Sequence, residues 1–256
     1  MARNTPIPSM SDEDRGFVRG LVLHEDASVI AFNKPDGLPV QTRGNRGRTL
    51  DHLLWAFAKS NGKRPRLVHR LDAGTSGVIL AGRTKPAAVA LSEAFAKRDV
   101  EKTYLAVVGG RPQAESGRCD GRIVKDGRRV TVTTKPGVGD ESRTDWQVSR
   151  PQSESHTLLV TVPYTGRMHQ IRAHLADMGC PILGDPIYGE PNLKADKPKD
   201  VKGHKSGDNT QRLMLHAWRL DVPHPDGGRL QLEAPPPDSF LQTLKALGLQ
   251  APPGSV

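Results

Sequence analysis

Aromatic residues are scarce in this chain: Phe, Trp and Tyr together make up 4% of 256 residues. Any aromatic in an unusual place therefore stands out. Cysteine is scarcer still. Cys119 and Cys180 match no CxxC spacing, and with the histidines they make no zinc pattern. His169 and His174 are five apart, without the glutamate of an HExxH helix, which excludes a zincin. Cys180, in MGCPIL, reads as a small buried hydrophobe, in keeping with a reducing compartment. No apolar run approaches the roughly 18 residues of a membrane span. The N-terminal MARNTPIPSMSDEDR has no apolar stretch of the kind a secretory signal needs. The expectation is a cytoplasmic, monomeric protein with no membrane contact.

Several common chemistries also lack their marks. There is no GxxxxGK[ST] phosphate loop, because Gly62–Lys63 continues into Arg64. Gly137 and Gly139 do not extend to GxGxxG, so no dinucleotide or methyl-donor loop is indicated. Gly74-Thr75-Ser76-Gly77 fails as a nucleophile elbow, since Val78 stands where the last glycine is required. No cofactor and no metal are expected.

Positive charge is what the chain has in excess. The formal net charge is +9, and it is unevenly spread. Between Gln41 and Arg70 stand eight basic residues (Arg43, Arg46, Arg48, Lys59, Lys63, Arg64, Arg66 and Arg70) against one acid, Asp51. Such a field attracts polyanions, and neutralised phosphates release counterions. A well-solvated surface gives the same composition; the clustering tips the balance toward nucleic acid.

Punctuation and periodicity set out the elements. The first 15 or so residues are polar, and residues 1–18 are expected to form a loose extension. Leu21–Leu23 and Val29–Asn33 read as short strands about a turn, and NKPDGLPVQ as a loop. Thr49 caps a helix marked by Leu50, Leu53, Leu54 and Phe57, and Thr84 caps a second over about 85–97. Leu67–Arg70 and Gly77–Ala81 read as strands flanking a turn, and Asp126–Gly127 as a hairpin tip. Further strands are expected at Thr103–Val108, Thr144–Val148, Thr157–Val162, Leu213–Val222 and Arg229–Leu232. Met168, Ile171, Leu175 and Met178 mark a helix closed by Gly179, and Ser239–Leu247 a final one. Residues 190–211 have no apolar period and read as an exposed loop. Hairpin-like strand groups with helices between them predict an α+β fold with a largely antiparallel or mixed sheet. A single domain over 19–249 is expected, with 250–256 as a tail.

Two segments concentrate ionisable groups. In RLVHRLDAGTSGVILAGR, His69, Arg70 and Asp72 lie between apolar runs, and Asp72 opens a Gly/Thr/Ser/Gly turn. A short acid on a tight turn is well presented to a cleft. Local chemistry alone favours an ordinary turn aspartate that caps its own backbone. In YTGRMHQIRAHL, Arg167, His169, Gln170, Arg172 and His174 crowd one helix, with no acid before Asp177. A solvated basic face is one reading. The other pairs one arginine with a buried carboxylate and sends the rest to phosphate.

Together these segments resemble a known family. His69-Arg70-Leu71-Asp72, followed by Thr75-Ser76-Gly77, resembles the HRLD signature of the RluA-type RNA pseudouridine synthases. Lys102-Thr103-Tyr104, the Thr165–His174 segment, Gly184–Gly189 and Arg212–Ala217 resemble four further blocks of that family, in the same order. The resemblance covers about residues 20–235. It departs at Met168, where the family has Thr or Ser, and only about 20 residues precede the first strand, too few for an S4 RNA-binding domain.

The resemblance implies the pseudouridine synthase catalytic fold, with flanking helices and a central cleft. It implies conversion of uridine to pseudouridine in structured rRNA or tRNA, without a cofactor. It makes Asp72 the catalytic carboxylate, Arg172 its cationic partner and Tyr104 the neighbour of the flipped base, although Tyr104 fits equally as a strand core residue. It also makes His69, Arg70, Thr75, Arg167, His169 and Gln170 the RNA-binding set. The competing expectation is a non-catalytic RNA-binding or ribosome-assembly protein, which explains the charge but has no use for Asp72, Tyr104 and Arg172 together.

Overall fold

The computed structural model describes residues 9–42, 47–127, 129–149, 153, 155–189 and 212–254. The expected loop over 190–211 lies outside the described residues. Contacts divide the chain into two compact units. The first holds residues 1–102 and 217–235, and the second 103–216 and 236–256. Each is α+β, and every strand pair whose register is given below is antiparallel.

In the first unit, β1 (Val22–Glu25) pairs with β2 (Val29–Lys34), which pairs with β4 (Ser76–Gly82). The short β3 (Arg66–Leu67) also lies on β4. The sequence reading extends that strand to Arg70; the strand proper ends at Leu67, with Val68 N–H still reaching Leu80 O at 3.5 Å before the turn at Asp72. Ala217–Pro223 of β10 (Leu215–Pro223) and the hairpin partner β11 (Arg229–Glu233) complete the unit. All seven residues of β4 are buried, as a continuous apolar strand with both faces covered requires. Thr49 caps α2 (Leu50–Leu53) by accepting the His52 N–H, and a 3-10 turn over Leu54–Phe57 follows. Thr84 does the same for α3 (Lys85–Ala96) through Ala87. Leu50, Leu53, Leu54, Leu91, Phe32 and Ile79 are fully buried. Each such side chain contributes about 1.5–3 kcal/mol relative to exposure.

The N-terminal segment is not loose throughout. Residues Asp12–Gly20 form helix α1. The Ser11 hydroxyl caps it by accepting from Asp14 N–H, and Asp12, Glu13 and Asp14 complement the positive helix end. Val18 is fully buried, Arg19 lies over the Phe57 ring, and Asp14 pairs with Arg48. Polarity here marks a helix start, not disorder.

Gly77 fixes the start of β4. Its φ is +115°, and a Cβ there would lie 2.1 Å from the Ala217 carbonyl oxygen. No other residue fits both demands.

In the second unit the sheet runs β5 (Glu101–Gly109), β9 (His156–Pro163), β8 (Asp140–Ser149), β6 (Ser116–Asp126) and β7 (Arg129–Thr133). The Asp126–Gly127 hairpin forms as expected, with Gly127 at φ +56°. Helix α4 (Gln170–Asp177) packs on β6–β9, and Gly179 at φ +81° follows its end. Helix α5 (Asp238–Ala246) closes the described chain. No helix among the described residues is long and apolar enough to cross a membrane.

Candidate active site

Asp72 opens a β-turn in the first unit: its carbonyl accepts the Thr75 N–H at 3.1 Å. Leu71, Thr75 and Ser76 are buried on either side, Asp72 is half-buried and Arg70 is exposed. The turn is also held from beneath by Lys34, at the end of β2 and opposite Gly77 in register. Lys34 is fully buried, and its ammonium donates to the carbonyls of Pro35, Leu38 and Ala73 at 2.9–3.0 Å. Sequence reasoning missed Lys34, treating its surroundings as loop punctuation only. The signal was a lysine ending an apolar strand, VIAFNK. A buried ammonium is tolerated only when its donors are satisfied, so three carbonyls are drawn to one point beside Asp72.

His69 braces the same turn. Its Nε2 accepts the Leu80 N–H at 2.9 Å, and its ring stacks on Phe95 at 4.5 Å. Burial, with Lys102 adding repulsion, pushes its pKa down to about 3. His69 is therefore neutral at physiological pH and braces its own unit. Burial, and then Arg98, bring Lys102 down to about 8.

The basic window is partly compensated. Arg48 pairs with Asp14, and Arg64 makes a two-point pair with Asp51. Lys59, Lys63, Arg66 and Arg70 are exposed, while Arg43 and Arg46 lie outside the described residues.

In the second unit, α4 is not a solvated basic face. Gln170, Ile171, Arg172, Ala173, His174 and Leu175 are all buried. Arg172 Nε and Nη2 donate to the two oxygens of Asp185 at 2.7 and 2.8 Å. The side chains are 5% and 0% exposed. Asp185 also accepts the N–H groups of Ile187 and Tyr188. Burial acts to raise its pKa, but the Arg172 hydrogen bond and charge, with the two backbone donors, outweigh it and keep the carboxyl below its ordinary range. The sequence reading supplies Asp72 as the carboxylate for Arg172; Asp185, in the GDPIYG block, is a second carboxylate that it did not identify.

The other residues of this segment divide by location. Gln170 engages its whole amide internally. Its oxygen accepts from Thr165 Oγ1 and Arg167 N, and its nitrogen donates to Arg143 O and Thr144 Oγ1. These bonds brace the loop before α4. His174 is bonded to Ser142 and Thr144, and burial lowers its pKa. His169 is left-handed, at φ +53°, with Nδ1 3.1 Å from the Tyr188 hydroxyl. Arg167 is exposed. Tyr104 is half-buried on β5, in register with Thr161 of β9, itself opposite Trp146 of β8. Side chains alternate along strands, so this row shares the sheet face of Ser142 and Thr144, the face that α4 covers. Tyr104 and the helix that carries Arg172 thus belong to one side of the second unit. Two further motif glycines are steric requirements: a Cβ on Gly184 would lie 1.9 Å from Arg212 O, and one on Gly189 2.5 Å from Asp185 O.

Removing either member of the Arg172–Asp185 pair takes two charge-assisted hydrogen bonds from a buried partner. Arg172→Ala and Asp185→Ala are each expected to lower unfolding free energy by about 3–5 kcal/mol, read from urea titrations. A loss under about 1 kcal/mol in both would contradict the pair, since that is the worth of an exposed one. A pH dependence follows from the histidines. Unfolded, His69 and His174 bind protons near the ordinary 6.5. Folded, they resist protonation, so their contribution is complete above about pH 6.5 and is lost as pH falls below it, by about 1.4 kcal/mol per pH unit per proton. Tm should fall between pH 7 and 5, a window in which free carboxylates stay largely ionised. A flat profile there would contradict neutral buried imidazoles.

Known proteins match this arrangement. The sequence model of the family described as RNA pseudouridylate synthase matches residues 28–177. The chain is 33% identical over 225 residues to an uncharacterised RNA pseudouridine synthase of Zymomonas mobilis, covering 86% of this chain and 94% of that one. It is 32% identical over 219 residues to the dual-specificity RNA pseudouridine synthase RluA of Escherichia coli, covering 84% and 92%. It is 35% identical to the ribosomal large subunit pseudouridine synthase D of Nitrosomonas europaea, of which it spans 64%, while covering 88% of its own length. Among solved structures, human RNA pseudouridylate synthase domain containing 4 matches with a TM-score of 0.75 and 28% identity, over 94% of this chain and 98% of that one. These matches, in a chain with the same ordered motifs, establish that it belongs to the RluA-type family of RNA pseudouridine synthases.

Proposed function

We propose that the chain isomerises a uridine in a stem-loop of ribosomal or transfer RNA to pseudouridine, with Asp72 as the group that acts on the ribose. The reaction breaks the C1′–N1 bond, turns the uracil and joins C5 to C1′; N1 gains a proton and C5 loses one. What carries the reading is a carboxylate on a turn clamped by Lys34 and Thr75, in a chain of this family. A clamped turn limits the motion of an attacking or proton-accepting group, which is where such chemistry gains most. Asp72 serves either by attack on C1′ or by removing the C2′ proton.

Arg172 and Tyr104 take the roles that the resemblance assigns. The resemblance gives Arg172 as the cationic partner of Asp72, and we keep that role for it beside its pair with Asp185. Tyr104 stacks on the flipped uracil and assists loss of the C5 proton. Of the residues assigned to RNA, Arg70 and Arg167 are exposed and suit phosphate contact, and His169 lies two residues beyond Arg167. Thr75 and Gln170 act through the loops that they hold. A loop uridine costs less to extrude than a paired one, which favours a stem-loop target. The relative named for the ribosomal large subunit supports ribosomal RNA as the substrate, and transfer RNA rests on the resemblance. The same reading has the chain work as a monomer in the cytoplasm, and its cysteines unpaired.

Asp72→Asn keeps the shape of the side chain and removes its charge. The expected result is no pseudouridine in total RNA from cells lacking the gene, mapped by carbodiimide tagging, with RNA affinity within about twofold of the unaltered protein. Substantial turnover by this variant would refute the assignment.

A further inference from the structure

The loop entering α4 presents an exposed aromatic. Of the chain's Phe, Trp and Tyr residues, Tyr164 alone is exposed, at 50%. Met168, four residues on, is 37% exposed. The backbone between them is fixed. Tyr164 N–H donates to Arg143 O, Arg143 N–H to Thr165 Oγ1, and Gln170 bonds Thr165, Arg167, Arg143 and Thr144. Arg143 lies over the Tyr164 ring at 5.4 Å and is itself held by two bonds to Asp145. A buried polar network thus holds a ring backed by a cation, with half of its surface open to solvent.

The surrounding charges decide what such a ring can take. Arg118, Arg122, Arg143 and Arg167 each face a carboxylate: Asp145, Glu141, Asp145 and Asp140 respectively. These pairs partly neutralise the patch, and its recognisable feature is a flat aromatic face. We propose that Tyr164 is a stacking platform for an unpaired base of the substrate RNA, distinct from the uridine being isomerised. This deepens the reading above and rests on the chain acting on a stem-loop. Every base has a π-face, so the platform selects an unpaired position more than a sequence.

The test is the affinity of a fluorescein-labelled, uridine-rich stem-loop RNA, measured by anisotropy for the unaltered protein, Tyr164→Ala and Tyr164→Phe. Stacking is worth about 1–3 kcal/mol per base, so Tyr164→Ala is expected to bind at least about fivefold more weakly. Tyr164→Phe should bind normally. Replacing loop nucleotides one at a time by abasic residues should weaken binding at one position in the unaltered protein and not further in Tyr164→Ala. Unchanged affinity in Tyr164→Ala, an equal loss in Tyr164→Phe, or abasic penalties that persist in Tyr164→Ala would each overturn the platform. Pseudouridine formation in the same RNA separates the two readings. Product with Tyr164-independent binding removes the platform alone; Tyr164-dependent binding without product removes the isomerase reading alone.

Discussion

A buried ammonium holds the turn on which the chemistry is proposed to stand. Lys34 is fully buried, and it gathers the carbonyls of Pro35, Leu38 and Ala73. Three carbonyls from two separate chain segments converge only because a cation requires them. The result is a fixed origin for the Asp72 turn. Gly77, which only glycine can occupy, fixes the direction in which β4 leaves it.

The second unit uses the same device with the opposite partner. The Arg172–Asp185 pair is buried, bonded at two points, and seated on the backbone donors of residues 187 and 188. Tyr188 then bonds Val130 N–H and meets His169, so the pair is tied to β7 and to the loop before α4. Much of what the motif residues do is thus structural. His69, Gln170, His174, Gly184 and Gly189 hold loops and strands in place, while Arg70, Arg167 and Tyr164 face outward.

The sequence made the elements legible wherever the signal was local. Thr49 and Thr84 announced their helices, and Asp126–Gly127 its hairpin, because caps and tight turns depend on neighbours within a few residues. Helix α1 carried such a signal in Ser11 and the three acids after it, but its polarity masked it. Roles that depend on distant partners were not legible. Nothing in the sequence near Lys34 names Ala73, nothing near His174 names Ser142 and Thr144, and Arg172 and Asp185 meet through a fold, not a spacing. At α4 composition left two readings open, and the interior polar residues match the one that pairs an arginine with a buried carboxylate.

The central claim is that the carboxylate of Asp72 addresses the ribose of the target nucleotide. A stem-loop carrying 5-fluorouridine at that nucleotide cannot lose a proton from C5, so it should halt the exchange before product leaves. A structure of the protein with this RNA is predicted to show the Asp72 carboxylate in contact with C1′ or C2′ of that sugar. A complex in which the nucleotide is bound elsewhere, with Asp72 turned to solvent, would contradict it.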